Sequence, residues 1–188
     1  MVSSSCGFTS TICFLVLLAG CQSKPSEHQA SSSTVPAKKD CAADGIDPIF
    51  KPAIADICGK TAFPILLPAK LPAEFDGIKA SQGEVQGEGY QIALYYEVGA
   101  GNAGYAGTFG ASKDGIDGIP NGEAVKLNDG SGGMFRSVSC GGSCAPASLW
   151  WKKDGITYQI QLVMDPKTAE ARQQAVLLHI ANSSIALK

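Results

Sequence analysis

Histidine and arginine are scarce in this sequence, and no segment is strongly basic. The 188 residues contain two histidines, and 15 basic residues stand against 17 acidic ones, for a formal net charge of -2. Proteins that bind nucleic acid usually carry clustered Lys and Arg, so we expect no nucleic-acid partner. Arg136 and Arg172 are the only arginines, which leaves few groups for bidentate recognition of phosphate or carboxylate.

The shortage of histidine also narrows the chemistry. His28 lies in a polar segment near the amino terminus, and His179 is the only histidine beyond it. A Ser-His-Asp, Cys-His or histidine-metal site would therefore depend on His179. No pair of acidic residues stands out by its spacing, so the sequence predicts no catalytic residues, no metal site and no cofactor.

A long apolar run is absent as well. Ile12–Ala19 spans eight uncharged residues, whereas a membrane-spanning helix needs about 20. Residues 1–20 therefore have the pattern of an export signal. No Lys or Arg precedes Cys21, although such signals usually begin with a positive region, so either export is less efficient or the start codon lies upstream.

The run ends in Leu18, Ala19, Gly20 and Cys21, which resemble the lipobox of bacterial lipoproteins. The resemblance implies cleavage before Cys21 and a diacylglycerol on its sulfur, so that the membrane is a partner through a lipid anchor. It implies the periplasmic face of the outer membrane in a cell with two membranes, because Gln22 rather than Asp follows the cysteine. In a cell with one membrane it implies the outer face of the plasma membrane.

The remainder divides into two parts by composition. Residues 21–39 are rich in Ser, Pro, Lys and Gln with almost no apolar residues, and such a segment buries too little surface to fold. We expect it to be a disordered tether. Residues 40–188 have the length of one ordinary domain.

The seven cysteines also divide by position. Cys6 and Cys13 belong to the expected signal and Cys21 to the expected anchor, which leaves four cysteines in the domain. An even number in an exported domain indicates disulfides.

Three pairings of these four cysteines are possible, and the economical one joins Cys41 to Cys58 and Cys140 to Cys144. The second pair encloses Gly-Gly-Ser, which also raises the possibility of thiol-disulfide catalysis. Redox enzymes more often place Cys-x-x-Cys at a helix start, so a structural staple is the favoured interpretation.

The domain has the pattern of an α+β fold. Residues 90–98 alternate apolar and other side chains, as in a half-buried strand, and Asp-Gly turn signals recur along the chain. A two-residue turn at 154–155 would set Trp151 opposite Tyr158 and Trp150 opposite Gln159. We expect an antiparallel β-sheet meander packed by a C-terminal helix, with a short N-terminal helical segment.

The C-terminal helix has a clear start signal. Asp165 is a good cap and Pro166 a good first residue, so we expect a helix from there to about residue 185. Its apolar stripe comprises Leu177, Leu178, Ile180, Ala181 and Ile185. His179 then points away from the stripe, towards solvent.

Four aromatic residues form a candidate binding surface. The hairpin register turns Trp150 outward, either as cover for another layer or as a binding surface. The stretch 99–110 formally contains G-x-G-x-x-G, but more glycines follow where a phosphate-binding helix should begin. We expect a glycine-rich loop or hairpin in which Tyr105 and Phe109 are core residues or ligand platforms, with Tyr95 on the strand before it.

Three segments together resemble a known domain type. They are "FPILLPAKLPAEF", "LWWKKDGITYQIQ" and a terminal "IANSSI". They are similar to an uncharacterised extracytoplasmic domain of bacterial lipoproteins and anti-sigma-factor proteins. The resemblance implies a sensing or binding role in the envelope and supplies no catalytic residues.

The sequence thus predicts a lipid-anchored envelope protein with a non-enzymatic binding or sensing domain, whose partner is an envelope protein or a small ligand. One alternative is an envelope thiol-disulfide oxidoreductase that uses Cys140 and Cys144. A second alternative is a structural lipoprotein of the envelope.

Overall fold

The structure is a computed structural model that describes residues 41, 44–97, 99, 101–114 and 122–187. The described residues belong to one unit, Ala37–Lys188. The expected signal peptide, the lipobox with Cys21 and the tether lie outside them. In the part of the chain that the structure describes, no helix is long and apolar enough to cross a membrane.

Two α-helices and eleven strands occur in the described ranges. The helices are α1 (Lys51–Ile57) and α2 (Glu170–Asn182), and short 3-10 helices span Pro48–Phe50, Ala73–Phe75 and Gly101–Gly104. The strands, in chain order, are β1 (Leu66–Pro68), β2 (Ala80–Gln86), β3 (Gly89–Tyr95), β4 (Tyr105–Ser112), β5 (Glu123–Lys126), β6 (Gly132–Arg136), β7 (Ser139–Cys140), β8 (Cys144–Ala145), β9 (Ala147–Lys153), β10 (Ile156–Leu162) and β11 (Ser184–Ala186).

Seven strands form one antiparallel sheet in the order β2-β3-β4-β10-β9-β6-β5. The antiparallel sheet and the mixed α+β class are confirmed, but the order is not that of a single meander. β10 pairs with β4. This pairing joins the run β2-β3-β4 to the run β10-β9-β6-β5 in the middle of the sheet. This pairing links strands that are distant in the chain, and no local turn signal encodes it.

The hairpin of β9 and β10 has the predicted register. Trp151 lies opposite Tyr158, and Trp150 lies opposite Gln159. Asp154 and Gly155 form the turn with φ values of 52° and 76°, the left-handed conformation that a two-residue hairpin turn requires. The two adjacent tryptophans therefore point to opposite faces of the sheet.

One face of the sheet carries the hydrophobic core, and we call it the core face. Its largest fully buried side chains include Phe109, Phe135, Leu149, Ile160 and Leu162. Helix α1 approaches β2 so closely that a Cβ atom at Gly83 would lie 2.3 Å from the carbonyl oxygen of Ala53. Glycine at this position is what allows the close contact.

The predicted boundaries of the C-terminal helix are wrong at both ends. Asp165 accepts a hydrogen bond from the Lys167 amide at 2.9 Å through its side chain, and it thereby starts a separate turn before the helix. α2 begins only at Glu170 and ends at Asn182. The chain then forms β11, which pairs with β1. This pairing gives hydrogen-bond partners to the backbone N–H and C=O groups that another helical turn would otherwise have paired.

The predicted faces of α2 agree better with the structure. Leu177, Ile180 and Ala181 are buried, whereas His179 is exposed. Helix α2 contacts β9 and β1. Buried Gln173 fixes its position, since it accepts a hydrogen bond from the Val138 amide at 2.8 Å.

Two buried tyrosines tie the sheet to the segment before β1 and to β1 itself. The Tyr90 hydroxyl accepts a hydrogen bond from the Leu66 amide at 3.0 Å, and the Tyr158 hydroxyl donates to the Pro64 carbonyl at 3.4 Å. Burial raises the pKa of Tyr158 to about 12, and nearby Asp154 adds to the effect. Burial also raises the pKa of Tyr90 well above its ordinary value.

We therefore expect the protein to lose stability in alkali. An unfolded tyrosine loses its proton near pH 10, while both phenols stay protonated in the fold. Their contribution is full below about pH 10 and falls between about pH 10 and 12, by up to about 1.4 kcal/mol per pH unit for each tyrosine. Urea unfolding across this window checks the slope, and Tyr158→Phe should make it shallower. An unchanged slope in Tyr158→Phe would contradict the assignment.

Candidate functional site

The face of the sheet opposite the core has a different character, and we call it the outer face. Strand alternation places on it the side chains that lie between core residues. On the central strands these are Gln91, Ala93 and Tyr95 of β3, Thr108, Gly110 and Ser112 of β4, Thr157, Gln159 and Gln161 of β10, and Ser148, Trp150 and Lys152 of β9. Most of these side chains are polar or small. The aromatic ones among them are Tyr95 and Trp150.

Trp150 lies on the outer face with a cation beside it. The indole is partly exposed, and the guanidinium of Arg136 lies 5.3 Å from its ring centroid. This is a cation–π contact, which favours a guanidinium beside the indole. The Nε atom of Arg136 is buried and has no hydrogen-bond partner among the described residues.

Two lysines extend this positive region. Lys126 of β5 and Lys152 of β9 are exposed, and their strand positions place both on the outer face. We call Lys126, Arg136 and Lys152 the cationic corner. Met134 lies beside Trp150 in the strand register and adds apolar surface within the corner.

A second aromatic group lies at the other end of the same face. The rings of Tyr95 and Tyr105 meet edge to face with centroids 6.3 Å apart. The Tyr105 hydroxyl is hydrogen-bonded to the Thr108 hydroxyl. Burial raises the pKa of Tyr105, which the bond to Thr108 partly offsets, so the phenol is neutral at physiological pH.

Between the two aromatic groups, the outer face has a position without a side chain. Gly110 of β4 lies opposite Gln91 on one side and Gln159 on the other. A Cβ atom at Gly110 would lie 3.1 Å from the Tyr90 carbonyl oxygen, so a side chain there would be crowded. Gly110 therefore has no side chain between the amide side chains of Gln91 and Gln159.

Phe109 is not part of this surface. Its side chain is 2% exposed, and its ring packs edge to face on Phe50 with centroids 5.1 Å apart. The expected glycine-rich loop is mostly strand β4, which alternates its side chains between the faces and sends Phe109 into the core. Of the four predicted surface aromatics, the structure brings Tyr95, Tyr105 and Trp150 to one face.

The four cysteines pair as predicted. Cys41 is bonded to Cys58, and Cys140 is bonded to Cys144. The second pair joins β7 and β8, a ribbon of two-residue strands, and both of its cysteines are exposed. No helix starts at this pair, so the helix dipole that lowers the pKa of many redox thiols does not act on it.

A separate depression of about 360 Å³ lies near the C-terminal end of α2, and its walls include Leu127, Asp129, Trp151, Lys153 and Asn182. Its charges are already paired. The hydrogen bonds from Ser131, together with that from Lys153, hold the pKa of Asp129 at about 2, and the Lys153 ammonium lies 3.1 Å from its carboxylate. This internal pairing distinguishes the depression from the cationic corner.

Sequence reasoning missed the cationic corner. It identified Arg136 only as one of two arginines, because β6 is not joined to β9 by a tight turn and its register cannot be read locally. Within the described ranges, no group of three or more His, Cys, Asp and Glu residues is arranged to hold a metal ion. No family model, curated protein or solved structure matches the chain.

Proposed function

We propose that this protein is a lipid-anchored envelope protein that binds a ligand or a protein partner through its outer face. In this proposal Cys21 carries the lipid, the tether spans to the domain, and α2 packs the core face while the outer face meets the partner. The domain acts as a binding or sensing module and not as an enzyme.

The observation that carries the proposal is the pairing of Trp150 with Arg136 on the outer face. Its neighbour Trp151 is 3% exposed and stacks on Tyr158 in the core, which is the usual place for an indole. Trp150 instead lies partly exposed beside a guanidinium. Tryptophan and arginine are the residues most enriched at binding hot spots, and both lie here on a rigid strand framework.

The disulfides support an exported location. Disulfides persist in oxidising compartments and are rare in the cytosol, and two of them stabilise this domain. The lipobox resemblance supports an anchor on the exported protein. The intact mass of the protein extracted from its own envelope tests the anchor, because cleavage before Cys21 and addition of diacylglycerol change the mass in a defined way.

Trp150→Ala tests the binding surface. The lipidated protein in mild detergent is mixed with insoluble envelope material, and the bound fraction is measured as a function of concentration. We expect Trp150→Ala to weaken retention by about 30-fold, which corresponds to a hot-spot loss of about 2 kcal/mol. His179→Ala changes an exposed residue of α2 and serves as the matched control.

The two alternatives give different results in the same assay. A structural lipoprotein predicts equal retention of wild type and Trp150→Ala. A thiol-disulfide oxidoreductase predicts that Cys140→Ser abolishes turnover of a disulfide substrate, whereas the binding proposal predicts no such turnover in the wild type. Equal retention of the Trp150→Ala and wild-type proteins would contradict the proposed function.

A further inference from the structure

We propose that the cationic corner binds an acidic saccharide, with a ligand carboxylate on Arg136 and sugar hydroxyls on the neighbouring amides. The inference rests on the proposed function and names the chemical class of its ligand. It is carried by the contact of Arg136 with Trp150, by the charge of the corner, and by the unpaired amides of Gln159 and Gln161 on the neighbouring strand.

Arg136 is the residue of the corner best suited to a carboxylate. Its guanidinium lies over the Trp150 ring at 5.3 Å from the centroid, a cation–π contact that holds it near the indole. A planar fork of this kind binds a carboxylate through two parallel hydrogen bonds. The Nε atom is buried without a partner in the described part of the chain, so the terminal amino groups of the guanidinium are the donors left for a ligand.

The charged residues at the outward strand positions on either side of Trp150 have one sign. The outward strand positions of β5, β6 and β9 hold Lys126, Arg136 and Lys152, and none of these positions holds a carboxylate. Glu123 of β5 faces the other way, and its carboxylate accepts a hydrogen bond from Gln174 of α2 at 3.2 Å. The corner therefore attracts anions, and salt should weaken that attraction.

The surface next to the corner suits hydroxyl groups. Gln159 and Gln161 are partly exposed, and neither side chain has a hydrogen bond to another described residue. Each amide offers donors and an acceptor without a charge, as a sugar hydroxyl also does. Gly110 opposite Gln159 carries no side chain, and Trp150 with Met134 offers apolar surface to the C–H groups of a sugar ring.

A saccharide fits these features better than a membrane surface does. Lipid headgroups are met best by flexible lysines that project from the protein. Lys126 and Lys152 are exposed lysines of that kind, but the arginine is half-buried against Trp150, and uncharged amides lie on the neighbouring strand. The geometry therefore favours a ligand that combines a carboxylate with hydroxyls in one rigid ring.

Titration calorimetry with the full lipidated protein in a neutral detergent tests the inference. The probe is a short oligogalacturonate, and its fully methyl-esterified form is the matched ligand that keeps the rings but lacks the charge. We expect the acid to bind at least about tenfold more tightly than the ester, and the difference to shrink with added salt.

The variants are matched by charge and by strand. Arg136→Gln should weaken binding of the acid by about 10-fold to 100-fold, the loss typical of a charge-assisted hydrogen-bond pair. Lys153→Gln removes the same charge from the core-face side of β9, where Lys153 is paired with Asp129, and should leave binding unchanged. If Arg136→Gln fails to fold, the double variant Lys126→Gln/Lys152→Gln changes only exposed residues and should still weaken binding about tenfold.

Equal affinity for the acid and the ester would overturn the inference, as would an equal loss in Arg136→Gln and Lys153→Gln. Binding only to vesicles that contain phosphatidylglycerol would also overturn it, in favour of a membrane contact. Failure with every saccharide, while Trp150→Ala still lowers retention on envelope material, would leave the proposed function standing and remove only this ligand class.

Discussion

Replacing Phe109 with alanine is expected to lower the free energy of unfolding by about 3–5 kcal/mol. The side chain is 2% exposed and packs on the fully buried Phe50, which precedes α1. The substitution therefore leaves a cavity between strand β4 and the N-terminal helical segment. A loss of this size is a large part of the total stability of an ordinary domain.

Urea unfolding measures this loss, and Tyr95→Ala is the matched control. Tyr95 lies on the outer face and is partly exposed, so its loss should cost much less, about 1 kcal/mol or below. The pair of variants separates core from surface among the four aromatics that the sequence singles out. Equal losses in the two variants would contradict the placement of Phe109 in the core.

The second large effect is expected from the disulfide between Cys41 and Cys58. It closes a loop with a sequence separation of 17, and the loop-entropy estimate gives about 3 kcal/mol of stabilisation. The bond ties the start of the described domain to the end of α1. Replacing both cysteines with serine should lower the unfolding midpoint in urea accordingly.

The bond between Cys140 and Cys144 is the internal comparison. Its sequence separation is 4, for which the same estimate gives about 2 kcal/mol, and its ribbon lies exposed at the surface. The Cys140→Ser/Cys144→Ser double variant should therefore be the more stable of the two double variants. The reverse order would show that the small ribbon, and not the N-terminal staple, holds the fold together.

The local features of the fold follow from the sequence. The register of β9 and β10 is predictable because an Asp-Gly turn fixes which residues face each other, and the alternation along β3 is visible in its side chains. Economy of spacing favoured, among three possible pairings, the one that the structure has. In each case, the information lies within a short stretch of chain.

The remainder depends on contacts between distant parts of the chain. The pairing of β10 with β4 sets the sheet order, and it has no signal in a turn. The C-terminal helix ends at Asn182 because Ser184–Ala186 pairs with β1. Since β1 lies more than a hundred residues earlier in the sequence, the helix propensity of the C-terminal residues cannot predict this pairing.

The candidate site divides in the same way. Trp150 is predictable as an outward residue because it belongs to a hairpin. Arg136 reaches Trp150 only through the register of β6 on β9, so the cation beside the indole appears only in the folded chain. Phe109 was ambiguous because glycines surround it, and only its strand register decides that it faces the core.

The central claim is that the outer face is the binding surface, and the side-chain N–H signals of the nitrogen-15-labelled protein test it most directly. The signals are followed during titration with the detergent-solubilised fraction of the envelope material that retains the protein. We predict that the Trp150 indole and Arg136 Nε signals shift together, while the indole signal of Trp151, buried on the opposite face, stays in place. A shift of Trp151 alone, or no shift of Trp150 at saturation on envelope material, would contradict the claim.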